Sequence, residues 1–427
     1  MDTATYIDSY YAASAHPAPA RPPLAGTIEC DVGVIGGGMA GCSAALHLAE
    51  RGYRVAVLEE HRVGWGASGR NGGQVLPGLA CGQDKLERLV GEGDARAIWE
   101  MTVGGMELVR SLIARHQIDC DWTPGHMLTA VRPRHVRELR EELETLQGRY
   151  GYGALRLMDR DEVRRTLDTE RYIAALYDGN SGHLHPLNYT LALAAAAERA
   201  GAHIFEHTRA LGHASRDGFV SVPTAGGELR CRHLVLCGNV YLGGLAPALR
   251  SRIMAVGTYI VATEPLGAER VNALVRNRAA VADMNWILDY FRPTADSRLL
   301  FGGRVSYSGL DPLGTASATR ARMLKVFPQL ADTRVTHAWG GYLDITLNRA
   351  PHFGRLAPNV YFAQGFSGHG IVLTGVAGKL IAESIAGTAE RFDVFARIPH
   401  RSFPGGMALR RPALVLAMLY YRLRDLL

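Results

Sequence analysis

The sequence predicts an α/β protein, α+β in overall balance, with strand–turn–helix units near both ends enclosing a region of antiparallel strands. Three observations predict it. Residues 30–60 run as an apolar strand, a glycine turn, a helix and a second strand. The segment "NVYFAQGFSGHGIVLTGVAGKLIAESIAG" repeats that order near the other end. Between about 253 and 347 the pattern changes to strands joined by turns, in "GTYIVATEP", "NWILDYFRPTADSRLLFGGR" and "THAWGGYLDITLNRAP". No clean linker separates these parts, so the domains are expected to interleave. Residues 1–29 form an extended, Pro-rich arm. A first domain takes 30–85, 150–250 and 350–400, a second takes 86–149 and 251–349, and 401–427 form a tail.

Bulk properties narrow the function. A chain of 427 residues, 47% apolar, can bury a large core. Its net charge of +6 comes mostly from scattered Arg, with Lys only at 85, 325 and 379, which is a solvated surface and not a nucleic-acid footprint. Six cysteines (30, 42, 81, 120, 231 and 237) include no CxxC pair, so reduced, buried thiols are expected and a zinc site is not. The N-terminus lacks the pattern of a secretory signal, and no run of about 18 apolar residues predicts a membrane span. The cytoplasm is the expected compartment.

Taken along the chain, residues 84–117 read as helices, 119–131 as a short hairpin, and 133–150 as a charged helical face. "PLNYTLALAAAAERAGAHIFEHTRA" reads as an Ala-rich helix, a stop at Gly201 and a strand. "RCRHLVLCGN" is a buried strand ending in a turn at Gly238. The tail "MALRRPALVLAMLYYRLRDLL" reads as a docked helix or a membrane-surface segment.

The first glycine turn carries the clearest chemistry. In "CDVGVIGGGMAGCSAALHLAERGYRVAVLEE", Gly36 permits the tight turn, Gly38 lets the backbone approach a diphosphate, and Gly41 lets the helix lie on the strand. The helix start at Met39 and Ala40 offers free N–H groups and a dipole favourable to an anion. Glu59, ending the second strand, suits ribose hydroxyls and disfavours a 2′-phosphate. This unit alone leaves nicotinamide and flavin dinucleotides both open. The late turn, "AQGFSGHGIVLTG", places Gly368, His369, Gly370 and Ile371 at a second helix start. Two such starts suit one long ligand held at both ends.

Between them lies "GASGRNGGQ", with Ser68, Arg70, Asn71, Gly72, Gly73 and Gln74. Together with the fingerprint at 32–59 and "GFSGHG", this run resembles the D-amino-acid-oxidase-like FAD family, nearest its γ-glutamylputrescine oxidase branch. "SYYAASA" at 9–15, "GHLHPLNY" at 182–189, "DSRLLFGGR" at 296–304, "FPQL" at 327–330 and "FPGG" at 403–406 extend the likeness over most of the chain. The resemblance implies a Rossmann-like FAD domain of the glutathione-reductase type and a substrate domain on a mainly antiparallel sheet. It implies that the run at 68–74 wraps the flavin beyond its diphosphate. Arg70 then either donates to the flavin or holds the loop by its backbone carbonyls. No Cys lies near "GFSGHG", so the FAD is expected to be non-covalent.

The resemblance further implies oxidation of a C–N bond by hydride transfer to flavin, the imine then being hydrolysed. The implied substrate is γ-glutamylputrescine or a related polyamine conjugate; L-pipecolate or a secondary or D-amino acid is the alternative, and an NAD-dependent dehydrogenase is the alternative of another class. Dioxygen or a membrane acceptor would receive the electrons. The candidate catalytic residues are His369 in the late glycine turn, and Trp339, Tyr342 and Asp344 on one strand, where alternation sets Tyr342 and Asp344 on one face. Asp344 either faces the amine or pairs with Arg349. Tyr290 and Arg304 on the hairpin complete the set, Arg304 as a carboxylate fork.

Overall fold

The structure is a computed structural model and describes residues 5–306 and 314–404. Seventeen strands follow in chain order among the described residues. They are β1 (Gly26–Ile35), β2 (Val55–Leu58), β3 (Gln74–Val75), β4 (Thr123–Ala130), β5 (Leu155–Met158) and β6 (Ala174–His183). Next come β7 (His203–Phe205), β8 (Ala214–Arg216), β9 (Phe219–Pro223), β10 (Gly227–Leu236), β11 (Met254–Thr263) and β12 (Ala280–Asp283). The last are β13 (Tyr290–Pro293), β14 (Leu299–Ser306), β15 (Val335–Ile345), β16 (His352–Ala357) and β17 (Val360–Gln364).

They form two sheets. The first has the order β16-β17-β10-β1-β2-β7, with β9 and β8 added beside β10. Its central pairs β17–β10, β10–β1, β1–β2 and β2–β7 are parallel. A parallel strand needs a crossover helix and cover on both faces, which is why "VAVL" of β2 is buried at every position. The second sheet has the order β15-β11-β14-β13-β12-β4-β6-β3, with β5 on β6. All its pairs are antiparallel except β12–β4. The α/β reading with a mainly antiparallel second part is therefore what the chain adopts.

Two expectations change. Residues 119–131 hold one strand, β4, whose partners β6 and β12 are distant in sequence, so there is no local hairpin. The segment at 150–183 supplies β5 and β6 to the second sheet, and β3 joins it too, so the first sheet draws on the middle of the chain only from His203 onward. The helices expected in 84–117 and in 133–150 are present, at Gln83–Val90, Glu92–His116 and Pro133–Glu144. The tail from 405 lies outside the described residues, as do the two glycines of "FPGG".

The helix Met39–Ala49 is buried at every residue, because the helix Gly370–Ile385 and the helix Pro186–Arg199 both pack on it. The two glycine-turn helices meet closely: a Cβ on Gly378 would lie 2.5 Å from the Ala44 nitrogen, and Ser43 Oγ donates to the Gly375 carbonyl at 3.1 Å. Behind the second sheet, Phe291 stacks parallel to Phe301 and meets Phe327 edge-on at 5.0 Å, closing a second apolar core.

The N-terminal arm is packed down. Ser9 Oγ accepts from Ala12 N and caps a short helix, Tyr10–Ser14, whose Tyr11 is fully buried against His185 and Trp339. Farther on, Arg21 donates two bonds of 2.7 Å to Glu198 and one of 3.3 Å to Glu206. Such a buried ion pair fixes the arm's register, since removing one partner strands the other charge.

Several imidazoles are buried as acceptors. His185 caps the helix Pro186–Arg199, its Nδ1 accepting from Asn188 N at 3.1 Å, and burial pushes it down to about 3. Burial likewise pushes His352 down to about 2. The unfolded chain therefore binds protons near pH 6.5 that the native state refuses, and stability falls as pH drops from about 6.5 toward 3. His185→Asn keeps a capping oxygen and removes one titration, so its thermal midpoint is expected to vary less over that pH range than the wild-type midpoint. An unchanged pH dependence would show that His185 already carries charge in the folded protein.

Candidate active site

A cavity of about 1200 Å³ lies between the sheets. Its walls include Gly36, Gly38, Met39, Ala40 and Glu59 from the first turn, Ser68, Asn71, Gly72 and Gln74 from the middle run, and Gly238 after β10. Gly368, His369, Gly370 and Ile371 enter from the late turn, and Tyr290 from β13. Two segments some three hundred residues apart thus face one space.

The first turn is shaped for close backbone approach. Gly36 has φ +105°, and a Cβ there would come within 2.9 Å of the Cys237 carbonyl oxygen. Gly41 does not reach the cavity but seats the helix, since a Cβ on it would fall 1.9 Å from the Gly36 oxygen. The helix begins at Gly38 with no side-chain cap. Met39 N donates to Ser68 Oγ at 2.9 Å, tying the middle run to the helix start. Glu59 Oε2 accepts from Gly37 N at 2.6 Å and Oε1 from His61 N at 2.9 Å. Desolvation pushes its carboxyl up to about 7 despite those two donors.

The middle run is held from within. Asn71 Nδ2 donates to the carbonyls of Ala67 and Ser68, and its Oδ1 accepts from Gly73 N at 2.8 Å. Gly72 lies flat on Tyr290: a Cβ would sit 2.8 Å from the ring. Gly73 takes φ +78° and seats against the Leu184 carbonyl. Gln74 Nε2 reaches the Val281 carbonyl at 3.4 Å. Arg70 turns away from the cavity; its Nε donates to the Trp65 carbonyl at 2.7 Å and its guanidinium stacks over the Trp65 ring. These contacts are of the loop-holding kind, while its Nη2 is buried without a partner among the described residues.

The late turn is fixed by Asp344. This carboxylate accepts from Gly365 N, and its backbone oxygen accepts from Ser367 N at 3.0 Å. Burial raises it to about 6, opposed by the N–H groups of Gly365 and Phe366. No ion pair to Arg349 forms among the described residues. Asp344 lines the cavity but is spent on the loop. Tyr342, expected on the same face, is 37% exposed and off the cavity, whereas Leu343, Asp344 and Ile345 line it in succession, so simple alternation does not sort this end of β15. Trp339 is buried away from the cavity as well: its Nε1 donates to the Arg70 carbonyl at 3.0 Å and its ring meets Tyr11. Arg304 lies on β14 opposite Tyr259; its side chain falls outside the description. Tyr290 is in the wall, and burial pushes its phenol well up.

Many wall residues had no sequence signal, among them His126 on β4, Asp283 ending β12 and Cys81 from a loop; Arg349, expected only as a partner for Asp344, lines the wall too. Asp283 is pushed up to about 7 by burial and by the nearby Asp289. His369 is pushed down to about 4 by burial. Arg349 adopts φ +63°, and its Nε is buried without a partner among the described residues.

The family described as FAD dependent oxidoreductase (DAO) matches residues 31–384. The chain belongs to the DAO family. It is 42% identical over 421 residues to the γ-glutamylputrescine oxidoreductase of Escherichia coli K12, covering 98% of each chain. It is 38% identical to a probable oxidoreductase, OrdL, of Haemophilus influenzae, over 98% of this chain and 97% of that one. Among solved structures, glycine oxidase of Geobacillus kaustophilus shares the fold, with a TM-score of 0.71 and 21% identity over 84% of this chain and 95% of that one. As a DAO-family protein it is an FAD-dependent oxidoreductase, and the NAD-dependent alternative falls. No helix among the described residues is long and apolar enough to cross a membrane.

The residues present fit FAD. Two helix starts whose N-cap residues, Gly38 and His369, make no side-chain cap bond open on one cavity, and the glycines between them leave room where a Cβ would collide with the wall. Gly41→Val drives a branched side chain into the Gly36 carbonyl and is expected to give protein with little bound flavin. Gly104→Ala, with nothing within 4 Å of its new Cβ, is the control and keeps wild-type flavin content. Visible absorbance per mole of purified protein reads both.

Proposed function

We propose that this DAO-family oxidoreductase oxidises the C–N bond of γ-glutamylputrescine or a closely related polyamine conjugate. The observation that carries the reading is one cavity, walled on one side by both glycine turns and on the other by the second sheet, in a chain 42% identical over nearly its full length to a γ-glutamylputrescine oxidoreductase.

FAD supplies the hydride acceptor. In this reading Gly36, Gly38, Met39 and Ala40 hold the diphosphate, and Glu59 takes ribose hydroxyls. Ser68, Asn71, Gly72 and Gln74 follow the ligand toward the late turn, where the N–H groups of Gly370 and Ile371 favour negative charge, that of His369 already donating to the Phe366 carbonyl at 3.0 Å. The Cys237 thiol lines the cavity but is pushed up to about 12 by burial, which leaves it a poor nucleophile and supports a non-covalent cofactor. The wall residues of the second sheet, Leu128, Leu176 and Tyr290, exclude water from the reacting carbon. A dry wall lowers the pKa of an entering amine, and only the neutral amine has the lone pair that drives hydride loss.

A second reading, oxidation of L-pipecolate or a D-amino acid, is favoured by Arg349, whose buried unpaired Nε lines the same cavity and matches a carboxylate. Anaerobic mixing separates the two. γ-Glutamylputrescine is expected to bleach the flavin at least tenfold faster than pipecolate, sarcosine or D-amino acids, with kcat/KM differing by more than about 1.4 kcal/mol in barrier. Faster bleaching by an amino acid, abolished in Arg349→Met, would replace the first reading by the second. Repeating the mix in air against a quinone acceptor tells oxidase from dehydrogenase.

A further inference from the structure

Two imidazoles line the cavity, and each presents a buried ring nitrogen with no hydrogen-bond partner among the described residues: Nε2 of His126 and Nδ1 of His369. They come from opposite walls. His369 immediately precedes the late helix without capping it, on the side of both glycine turns. His126 sits on β4, in the sheet that forms the other wall, and is 7% exposed. Buried polar atoms are almost always paired, so an unpaired nitrogen on a side chain that lines a cavity is a place where a ligand atom can complete the bond.

His126 is also fixed in place. Gly125 before it takes φ +98°, a conformation that side chains rarely adopt, and a Cβ there would press on the Tyr177 hydroxyl at 3.0 Å. The strand is irregular at this point: the pairing with β6 shifts register between Pro124 and His126, and His126 lies opposite Asp178. Such an irregularity re-aims one side chain within an otherwise regular sheet. No carboxylate lies within ion-pair distance of either imidazole among the described residues; burial, and to a lesser extent the nearby His369, disfavours charge on His126. His126 is therefore a neutral imidazole, able to leave Nε2 bare as an acceptor.

We propose that His126 is a substrate-binding catalytic residue: its Nε2 accepts a hydrogen bond from the N–H of the amine undergoing oxidation. The inference rests on the amine-oxidation reading above and adds the group that orients the nitrogen. The bond points the N–H at the second-sheet wall and leaves the nitrogen lone pair free to form the C=N bond as hydride departs toward the opposite wall. His126 takes no proton in this step; proton loss from the incoming ammonium precedes it.

The test uses the full-length flavin-loaded enzyme and the amine that bleaches the wild type fastest. His126→Met fills the space without a strong acceptor, and His126→Gln restores an acceptor near the position of Nε2. The limiting rate of anaerobic flavin reduction in His126→Met is expected to fall about tenfold to a hundredfold, with flavin content and the flavin spectrum at wild-type values. His126→Gln is expected to recover most of the loss. Wild-type rates in His126→Met would overturn the proposal. Equal impairment in both variants, or loss of flavin in both, would assign His126 a structural role and overturn it as well. Failure of every amine to reduce the wild type would instead overturn the function reading itself.

Discussion

A buried guanidinium fastens the cavity wall. Arg292 on β13 is 3% exposed, and no carboxylate lies within ion-pair distance of it among the described residues. Its Nε donates to the Gly72 carbonyl at 2.9 Å, and its terminal nitrogens reach the Tyr11 hydroxyl at 3.0 Å and the Leu184 carbonyl at 3.1 Å. One side chain thereby joins the second sheet, the N-terminal helix and the glycine run that borders the cavity. A charge stripped of water is costly unless every donor is used. Here neutral acceptors replace the water, each charge-assisted bond contributing about 1.5–3 kcal/mol. The planar fork suits this task; a lysine could not reach three separated acceptors from one point.

That fastening sets how near the glycine run comes to the second sheet. Gly72 rests on the Tyr290 ring, which in turn fills the space over Gly302. Side chains on either glycine would push the run into the cavity. On the opposite wall, the contact of Gly378 with Ala44 locks the two turn-derived helices together. The spacing of the two helix starts is thus a property of the core and not of mobile loops. A long two-ended cofactor needs that, because binding energy spent on ordering its site is lost from affinity.

Much of this was legible from local pattern. Glycine spacing after an apolar strand located the first turn, and the same order near residue 365 located the last, because a β–α turn writes its steric demands into consecutive residues. What the pattern could not carry was long-range pairing. "DCDWTPGHMLTAV" has hairpin punctuation, yet Pro124 and Gly125 shape a register shift within one strand whose partners lie some fifty and a hundred and fifty residues away. Alternation pairs Tyr342 with Asp344, but Leu343, Asp344 and Ile345 line the cavity in succession and Tyr342 does not; the pattern held no information on where along β15 the cavity stops. For Asp344 the sequence offers the amine or Arg349 as partner and does not offer the Gly365 N–H, which belongs to another strand's end. His126 and Arg292 went unnoticed for the same reason. A single polar residue in an apolar strand has no signature until the tertiary structure says what it faces.

The wall chemistry has one common direction. His126 at about 3 and His369 at about 4 stay uncharged, while Glu59 and Asp283, both raised to about 7, are only half ionised at neutral pH. Desolvation is the largest cause in all four. The same penalty falls on anything that enters. A primary ammonium near pKa 10 in water, moved beside these four groups, gains little counter-charge from them to offset its lost hydration, and that loss lowers its pKa. The walls therefore favour the neutral amine by the same physics that keeps their imidazoles neutral. On the proposed function, activation of the substrate needs no dedicated strong base; it follows from how little charge the cavity tolerates.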